Sequence, residues 1–214
     1  MKPIFISGIG TDVGKTCMAA VVTQALQADY WKPIQAGFDK GTDRETVAEL
    51  LSNKDSVCFP ERYKLALPAS PHISAREEDV QIEMEALLQA LPKTNKPLEI
   101  EGAGGILVPI NDHQFVGDLI KALDAHVILV SRNYLGSINH SLLTAQWIKQ
   151  HNISCLGWIF NDQFMDYEDE IVGWSGYQKL GSFPFDTNFN ARTVATWAEQ
   201  IRPSLLSAIE NASK

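Results

Sequence analysis

The chain has 214 residues, of which 45% are hydrophobic, so residues 1–214 are expected to bury one core and to form a single domain. The formal net charge of −8 excludes a broad basic surface and argues against a nucleic-acid partner. Cys17, Cys58 and Cys155 are too few and too widely spaced for a metal-ligand motif or a disulfide framework, and no apolar stretch could span a membrane, so we expect a cytoplasmic protein.

Apolar runs predict six strands, which alternate with segments of helical periodicity. The predicted strands cover residues 4–7, 30–34, 98–101, 126–131, 155–160 and 179–183, and the predicted helices cover 15–28, 43–53, 79–91, 116–124, 137–150 and 193–210. The stretch 54–78 is expected to be an irregular excursion near the sheet edge. This alternation predicts an α/β fold of three layers, in which a mainly parallel sheet carries helices on both faces. Such sheets bind ligands beyond the carboxyl ends of their strands.

A glycine-rich loop, Gly8-Ile-Gly-Thr-Asp-Val-Gly-Lys-Thr16, joins the first predicted strand to the first predicted helix. In such a loop the backbone amides converge on phosphate oxygens, Lys15 reaches the outer phosphates and the Thr16 hydroxyl ligates magnesium. The start of the helix adds its positive dipole end to the site. Five residues separate Gly8 from Gly14, one more than is usual, and Ile9 takes a position where glycine is expected. The context still predicts a P-loop NTPase-like fold that binds a nucleotide and Mg²⁺.

Charged side chains follow the second and third predicted strands. Lys32 is interpreted as a second cation over a transferred phosphoryl group, with an ordinary surface lysine as the alternative. Glu101 precedes a glycine-rich turn and is interpreted as a magnesium ligand, with a solvated strand-end carboxylate as the alternative. Asp43 stands where a helix is predicted to begin, and by itself indicates only a carboxylate favoured by the helix dipole. Tyr30 is expected to be structural and to pack its strand.

Asn161 and Asp162 close the fifth predicted strand. The asparagine amide matches the donor and acceptor pair of a purine edge, so recognition of a base is one interpretation, and ordinary turn chemistry is the other. The five histidines show no metal-ligand spacing, and no serine or cysteine lies in a nucleophile elbow. Metal-assisted phosphoryl transfer is therefore the chemistry that the residues indicate.

Six sequence blocks together resemble the dethiobiotin synthetases, the ATP-dependent family that acts before the last step of biotin synthesis. The blocks are the long phosphate loop, residues 31–37 (WKPIQAG), 68–72 (PASPH), 101–105 (EGAGG), 135–146 (LGSINHSLLTAQ) and 157–162 (GWIFND), in the family's order. The resemblance implies that 7,8-diaminopelargonic acid and CO2 are joined into a cyclic urea. One amine becomes a carbamate, the carbamate attacks the γ-phosphate of ATP, and the second amine closes the ring with loss of phosphate.

The resemblance also implies roles for individual residues, with ATP and Mg²⁺ as cofactors and an active site at the interface of a homodimer. Catalytic roles are implied for Lys32, Lys15 and Thr11, and magnesium ligation for Thr16, Asp43 and Glu101. Nucleotide binding is implied for Asp12, Val13, Gly14, Lys15, Thr16, Cys17, Asp43, Glu101, Gly102, Ala103, Gly104, Asn161, Asp162, Pro184 and Phe185. Substrate binding is implied for Lys32, Gln35, Ala36, Ser137 and Asn139, and the start of the helix after Leu135 is expected to receive the substrate carboxylate.

The sequence departs from the family pattern at two of these positions. Asp12 stands where the family often has glutamate, and Ala36 replaces a small hydroxyl residue. A ParA/MinD-like nucleotide switch would share the fold, but its loop typically carries an early second lysine where Gly10 stands here. A small-molecule kinase would need an arginine-rich lid, and the chain has no such cluster. A divergent paralogue with another substrate stays open, as do the nucleotide preference and assembly beyond a dimer.

Overall fold

The computed structural model describes residues 1–162 and 164–213, in which strands and helices alternate along the chain. The strands are β1 (Ile4–Gly8), β2 (Asp29–Trp31), β3 (Ile34–Ala36), β4 (Cys58–Phe59), β5 (Tyr63–Leu65), β6 (Leu98–Gly105), β7 (His126–Arg132), β8 (Cys155–Asn161) and β9 (Lys179–Phe183). The helices are α1 (Lys15–Leu26), α2 (Asp43–Leu50), α3 (Pro71–Glu77), α4 (Met84–Gln89), α5 (Val116–Ala122), α6 (Ser137–Gln150), α7 (Glu168–Ser175) and α8 (Ala191–Ala212). Among the described residues, no helix is both long and apolar enough to cross a membrane.

Seven of the strands form one parallel sheet in the order β4-β2-β6-β1-β7-β8-β9. The chain starts at the central strand β1, builds one side of the sheet through β2, β4 and β6, and then builds the other side through β7, β8 and β9. The connections on the two sides of β1 therefore run in opposite directions across the sheet. A parallel sheet opens a crevice for a ligand at the carboxyl ends of its strands where the direction changes in this way. The predicted parallel sheet is confirmed.

Two hydrophobic cores lie on opposite faces of this sheet, because successive side chains of a strand point to opposite sides. Ile4 and Ile6 of β1 belong to the core that includes residues of α1, α2 and α8. Phe5 belongs to the second core, which includes residues of α3 to α7. Every member of the central strand β1 is buried, as expected for a strand covered on both faces. The three-layer α/β arrangement is confirmed.

The predicted strand 30–34 is wrong, since the structure divides it into two. β2 ends at Trp31, and β3 begins at Ile34 and pairs with β5 in a separate parallel sheet of two strands. Pro33 lies at the break because proline has no N–H to donate to a sheet. Its carbonyl accepts instead from the backbone amides of Arg62 and Tyr63, at 2.9 and 3.0 Å.

Three other expectations need correction. The predicted helix 79–91 is shorter, because Asp79 has a φ of +52° and interrupts the helical backbone, and α4 begins only at Met84. The stretch 54–78 is less irregular than expected, because it contains β4, β5 and α3. The predicted helix 43–53 ends earlier, since Leu51 is extended. Helix α7 has no counterpart among the predicted helices.

Candidate active site

The phosphate loop lies between the central strand β1 and helix α1. Gly14 has a φ of +88°, and a Cβ there would lie 2.1 Å from Nδ2 of Asn161, so only glycine fits. The same amide nitrogen of Asn161 donates to the carbonyl of Val13 at 3.1 Å. The carboxyl end of β8 is thereby attached to the loop that precedes α1.

Lys15 is a buried cation that donates a hydrogen bond to a backbone carbonyl. Its side chain is only 8% exposed, and Nζ donates to the carbonyl of Gly10 at 2.8 Å. Burial lowers the pKa of Lys15 to about 8, although the charge of Glu101 acts in the opposite direction. None of the ion pairs found among residues 1–162 and 164–213 includes Lys15. A buried ammonium without a carboxylate partner fits an anionic ligand such as a phosphate.

Glu101 of β6 is the centre of a buried polar cluster beside the phosphate loop. Its Oε1 accepts from Thr16 Oγ1 at 2.9 Å and from Lys32 Nζ at 2.8 Å, and its Oε2 accepts from the Tyr30 hydroxyl at 2.8 Å. β6 lies between β1 and β2, so it can collect side chains from the residues that follow both strands. The carboxylate is only 1% exposed, which strengthens each of these interactions.

Lys32 also forms an ion pair with Asp43, so its ammonium contacts two carboxylates. Burial acts to lower the pKa of Lys32, but the charges of Glu101 and Asp43 outweigh it and hold the pKa well above the ordinary value. Asp43 is the first residue of α2, and the capping hydroxyl comes from Thr42. Its backbone amide donates to Gln35 Oε1 at 3.1 Å. The structure therefore brings Lys32, Glu101 and Asp43 together.

Two members of this cluster had not been predicted to contribute to the site. Tyr30 is a core residue whose hydroxyl also donates a hydrogen bond to Glu101. Tyr30 and Lys32 are two residues apart, and alternate residues of an extended chain point to the same face, so both side chains can reach the carboxylate. Glu99, also on β6, is fully buried, and its Oε2 accepts from Thr23 Oγ1 at 3.2 Å. Burial and the nearby charge of Glu101 raise the pKa of Glu99 well above its ordinary value.

Replacement of Tyr30 by phenylalanine is expected to lower the free energy of unfolding by about 1–3 kcal/mol, because one oxygen of a buried carboxylate loses its donor. Urea unfolding at pH 7 measures the change. Tyr177→Phe, at a partly exposed tyrosine outside the cluster, serves as the matched control. Equal unfolding free energies for Tyr30→Phe and the wild type would contradict a role of the hydroxyl in holding Glu101.

The glycine-rich end of β6 lies against the phosphate loop. Gly105 pairs with Gly8 of β1, and a Cβ at Gly104 would lie 3.7 Å from the methyl group of Thr11. Thr11 and Asp12 are exposed on the outer side of the loop. Gly102 and Ala103 precede this contact along β6, and Cys17 follows the loop in α1 as a half-buried residue. Burial raises the pKa of the Cys17 thiol to about 11, so it stays a neutral thiol.

A second group of the predicted residues gathers at the carboxyl ends of β8 and β9. Asp162 follows Asn161, and its backbone amide donates to the carbonyl of Phe183 at 2.9 Å. Arg132, at the end of β7, donates from Nε to Asp162 Oδ2 at 3.2 Å, and its guanidinium carbon lies 5.8 Å from the ring centre of Phe185. Pro184 and Phe185 are both exposed.

The predicted substrate residues fall into two separate groups. Gln35 and Ala36 lie on β3 close to Asp43 and Lys32. Ser137 begins α6 and shares a hydrogen bond of 2.7 Å with the Tyr167 hydroxyl, whereas Asn139 is exposed. Within the described parts of the chain, no hydrogen bond joins Ser137 or Asn139 to the Lys32 cluster.

Sequence comparisons place the chain among ATP-dependent enzymes. A family model described as "AAA domain" matches residues 2–193. ATP-dependent dethiobiotin synthetase BioD of Cytophaga hutchinsonii is 50% identical over 203 residues, which cover 94% of this chain and 97% of that protein. The protein of the same name from Christiangramia forsetii is 43% identical, over 95% of this chain and 98% of its own length.

Solved structures resemble the fold at much lower identity. A ParA family ATPase from Chlorobium tepidum is 16% identical, with a TM-score of 0.56 over 97% of this chain and 98% of that one. A MinC:MinD cell division protein complex from Aquifex aeolicus gives a TM-score of 0.57 at 13% identity, over 100% of this chain and 94% of the matched one. Identities this low show the fold alone. The P-loop NTPase-like fold is confirmed.

Proposed function

The chain belongs to the family of ATP-dependent dethiobiotin synthetases, and on that premise we propose that it converts 7,8-diaminopelargonic acid, CO2 and ATP into dethiobiotin, ADP and phosphate. It is an ATP-dependent ligase of biotin synthesis that acts on small molecules. The observation that carries the proposed chemistry is the buried contact of the Lys32 ammonium with Glu101 and Asp43 beside the phosphate loop. We propose that residues 1–214 act as one ligase domain.

The proposed reaction has three steps. One amine of the diamine adds to CO2 and loses a proton, which gives a carbamate. A carbamate oxygen attacks the γ-phosphorus of ATP, ADP leaves, and a carbamic-phosphoric anhydride forms. The second amine then attacks the carbonyl carbon, the C–O bond to phosphate breaks, and the ring closes with release of phosphate and a proton. Because the reacting groups all belong to the bound substrates, the protein contributes mainly positioning and charge stabilisation.

The two buried lysines are proposed to stabilise the negative charge of the transferred phosphoryl group. Lys15 exchanges its contact with the Gly10 carbonyl for phosphate oxygens, and the loop amides around Thr11 to Gly14 bind the same group. Lys32 stays protonated at neutral pH because its carboxylate partners raise its pKa. It therefore offers a permanent cation to the oxygens of the carbamate and the γ-phosphate.

Magnesium is proposed to bind through Thr16, Asp43 and Glu101. All three supply the oxygen ligands that Mg²⁺ prefers, and Thr16 and Glu101 are already 2.9 Å apart. Among the described residues, no group of three histidine, cysteine or acidic side chains could hold a metal ion, and phosphate oxygens and water would complete the proposed coordination. When bound, the ion neutralises charge on the β- and γ-phosphates.

The base of ATP is proposed to lie over the carboxyl ends of β8 and β9. Asn161 supplies an amide beside the phosphate loop, and Pro184 and Phe185 supply an exposed apolar surface. The close approach of Asn161 to Gly14 supports this placement, since it brings the base and phosphate regions together. Asp12, Val13, Cys17, Gly102, Ala103, Gly104 and Asp162 are proposed as the remaining nucleotide contacts.

A homodimer is proposed to complete the substrate site. Leu135 is 96% exposed directly before α6, and Leu143 of α6 and Trp174 of α7 are 61% and 57% exposed. Exposed apolar side chains of this size favour a protein partner. A second copy would bring Ser137, Asn139 and the start of α6 to the substrate carboxylate, beside Lys32, Gln35 and Ala36.

The protein is proposed to act in the cytoplasm. Its three cysteines are free thiols, which supports a reducing compartment.

Turnover tests the proposed function directly. We expect ADP release to require the diamine, bicarbonate and magnesium together, with dethiobiotin and phosphate formed in equal amounts to ADP. Mass spectrometry detects the dethiobiotin, and omission of each component in turn provides the controls. ATP hydrolysis that proceeds equally well without the diamine would contradict the ligase and favour a nucleotide switch.

A further inference from the structure

Arg132 and Asp162 form an ion pair at the rim of the proposed base site, where the function proposed above assigns no role to the arginine. The Arg132 side chain is 41% exposed and that of Asp162 25% exposed, with 3.2 Å between Nε and Oδ2. Asp162 directly follows Asn161, and the centre of the Phe185 ring lies 5.8 Å from the guanidinium carbon. Both charged groups therefore border the region where a base would lie.

Hydrogen bonds of the backbone fix the two residues relative to each other. The amide of Asn133, which follows Arg132, donates to the carbonyl of Asn161 at 3.3 Å. The amide of Asp162 donates to the carbonyl of Phe183, and its φ of +73° turns the chain away from the strand. The ion pair thus joins the ends of β7 and β8 in a geometry that the sheet itself supports.

A carboxylate at this position would discriminate between purines if it were free. An ionised carboxylate only accepts hydrogen bonds. The Watson–Crick edge of guanine presents two adjacent donors, N1–H and the 2-amino group, which match the two oxygens of a carboxylate. Adenine presents an acceptor at N1, which a carboxylate repels. An unpaired Asp162 would therefore favour guanine nucleotides.

We propose that Arg132 sets the base preference of the nucleotide site by sequestering Asp162, so that adenine nucleotides are selected over guanine nucleotides. Arg132 Nε engages Oδ2, one of the two carboxylate oxygens that guanine would use, and its positive charge opposes that of the carboxylate. Asn161 is then left as the polar group of the rim that can pair with adenine. This inference rests on the proposed function, because it requires the base to lie beside Asn161 and Asp162.

Four variants test the inference by equilibrium binding of fluorescent ADP and GDP analogues with Mg²⁺. Arg132→Met removes the charge but keeps the apolar stem, and is expected to shift the affinity ratio toward GDP by about tenfold or more, the effect of one good two-bond contact to a base. Asp162→Asn alone lacks the carboxylate, so it should not shift the affinity ratio toward GDP, whatever its effect on the affinity for either nucleotide. The double variant Arg132→Met with Asp162→Asn should lose the shift, and Arg202→Met, at an exposed position of α8, should behave as the wild type.

Several outcomes would overturn the inference. The first is an Arg132→Met protein that still binds ADP and has the same ratio of ADP affinity to GDP affinity as the wild type. The second is a double variant whose ratio shifts as much as that of Arg132→Met, which would exclude Asp162 as the acceptor of guanine. Preference of the wild type for GDP would also contradict it. If the wild type bound neither nucleotide, the proposed function itself would fail together with this inference. Thermal unfolding of each variant shows that the proteins compared are folded.

Discussion

Replacement of Lys32 by alanine is expected to lower kcat by about 10³-fold, a loss typical of removing a cation that stabilises a phosphoryl-transfer transition state. The ammonium is buried between Glu101 and Asp43, and its raised pKa keeps it charged over the whole neutral range. Lys15 also lies near Glu101, but its ammonium donates to the Gly10 carbonyl rather than to the carboxylate. The affinity for ADP with magnesium is expected to stay within about threefold of the wild type, because Lys32 is proposed to act on the γ-phosphate and the carbamate.

Stability has to be measured on the same Lys32→Ala protein, since two carboxylates lose their partner. Breaking a buried ion pair costs about 3–5 kcal/mol, so a lower melting temperature is expected. Retained ADP binding shows that the variant is still folded. Lys93→Ala, at an exposed position, is the matched control and should leave both kcat and stability unchanged. Wild-type turnover by Lys32→Ala would refute the proposed role of Lys32.

Replacement of Lys15 by methionine is expected to weaken binding of ADP with magnesium by about tenfold to 150-fold, which corresponds to the 1.5–3 kcal/mol of a hydrogen bond to a charged group. Methionine fills nearly the same space, so the fold is preserved, while the Gly10 carbonyl loses its donor. Isothermal titration calorimetry measures the affinity. Lys93→Ala again provides the control, and an unchanged affinity would exclude Lys15 from the phosphate site.

The pH dependence of binding gives an independent check on Lys15. Burial lowers its pKa to about 8, so the free protein holds the ammonium below that pH and loses it above. Phosphate favours the charged form, and the affinity of the wild type should therefore fall by up to about tenfold per pH unit above pH 8. The Lys15→Met protein should show no such fall. A wild-type affinity for ADP that stays constant between pH 7 and 10 would contradict the proposal that the charged Lys15 binds the phosphates.

The sequence predicts the parts of the site that depend on local chain chemistry. The loop from Gly8 to Thr16 is recognisable because its glycines and lysine follow a buried strand and precede a helix. Lys32 and Glu101 are predictable as charges at strand ends, since parallel strands place their carboxyl ends at one edge. The contact of Asp43 with Lys32 is not predictable in this way, because it depends on the path of the chain through β3 into α2.

Other features escape sequence reasoning because tertiary packing decides them. The residues 30–34 read as one apolar run, yet the missing N–H of Pro33 ends the strand and sends the chain into a second sheet. Strand β4 has only two residues, which is too few for a periodic signal, and it depends on its neighbours. The Tyr30 hydroxyl matters only because β6 brings Glu101 within its reach.

The division of the chain into two parallel sheets has an evolutionary consequence. The large sheet carries the phosphate loop, Glu101 and Asn161, whereas Gln35 and Ala36 lie on β3 of the small sheet. Lys32 and Pro33 connect the two. Because Gln35 and Ala36 are proposed to contact the organic substrate, mutations at Ala36 are expected to alter which substrate is accepted. Gln35 also accepts from the backbone amide of Asp43, so a change there would reach the proposed magnesium site as well. After gene duplication, drift at a few positions of a three-residue strand would be a short route to a ligase with a new substrate.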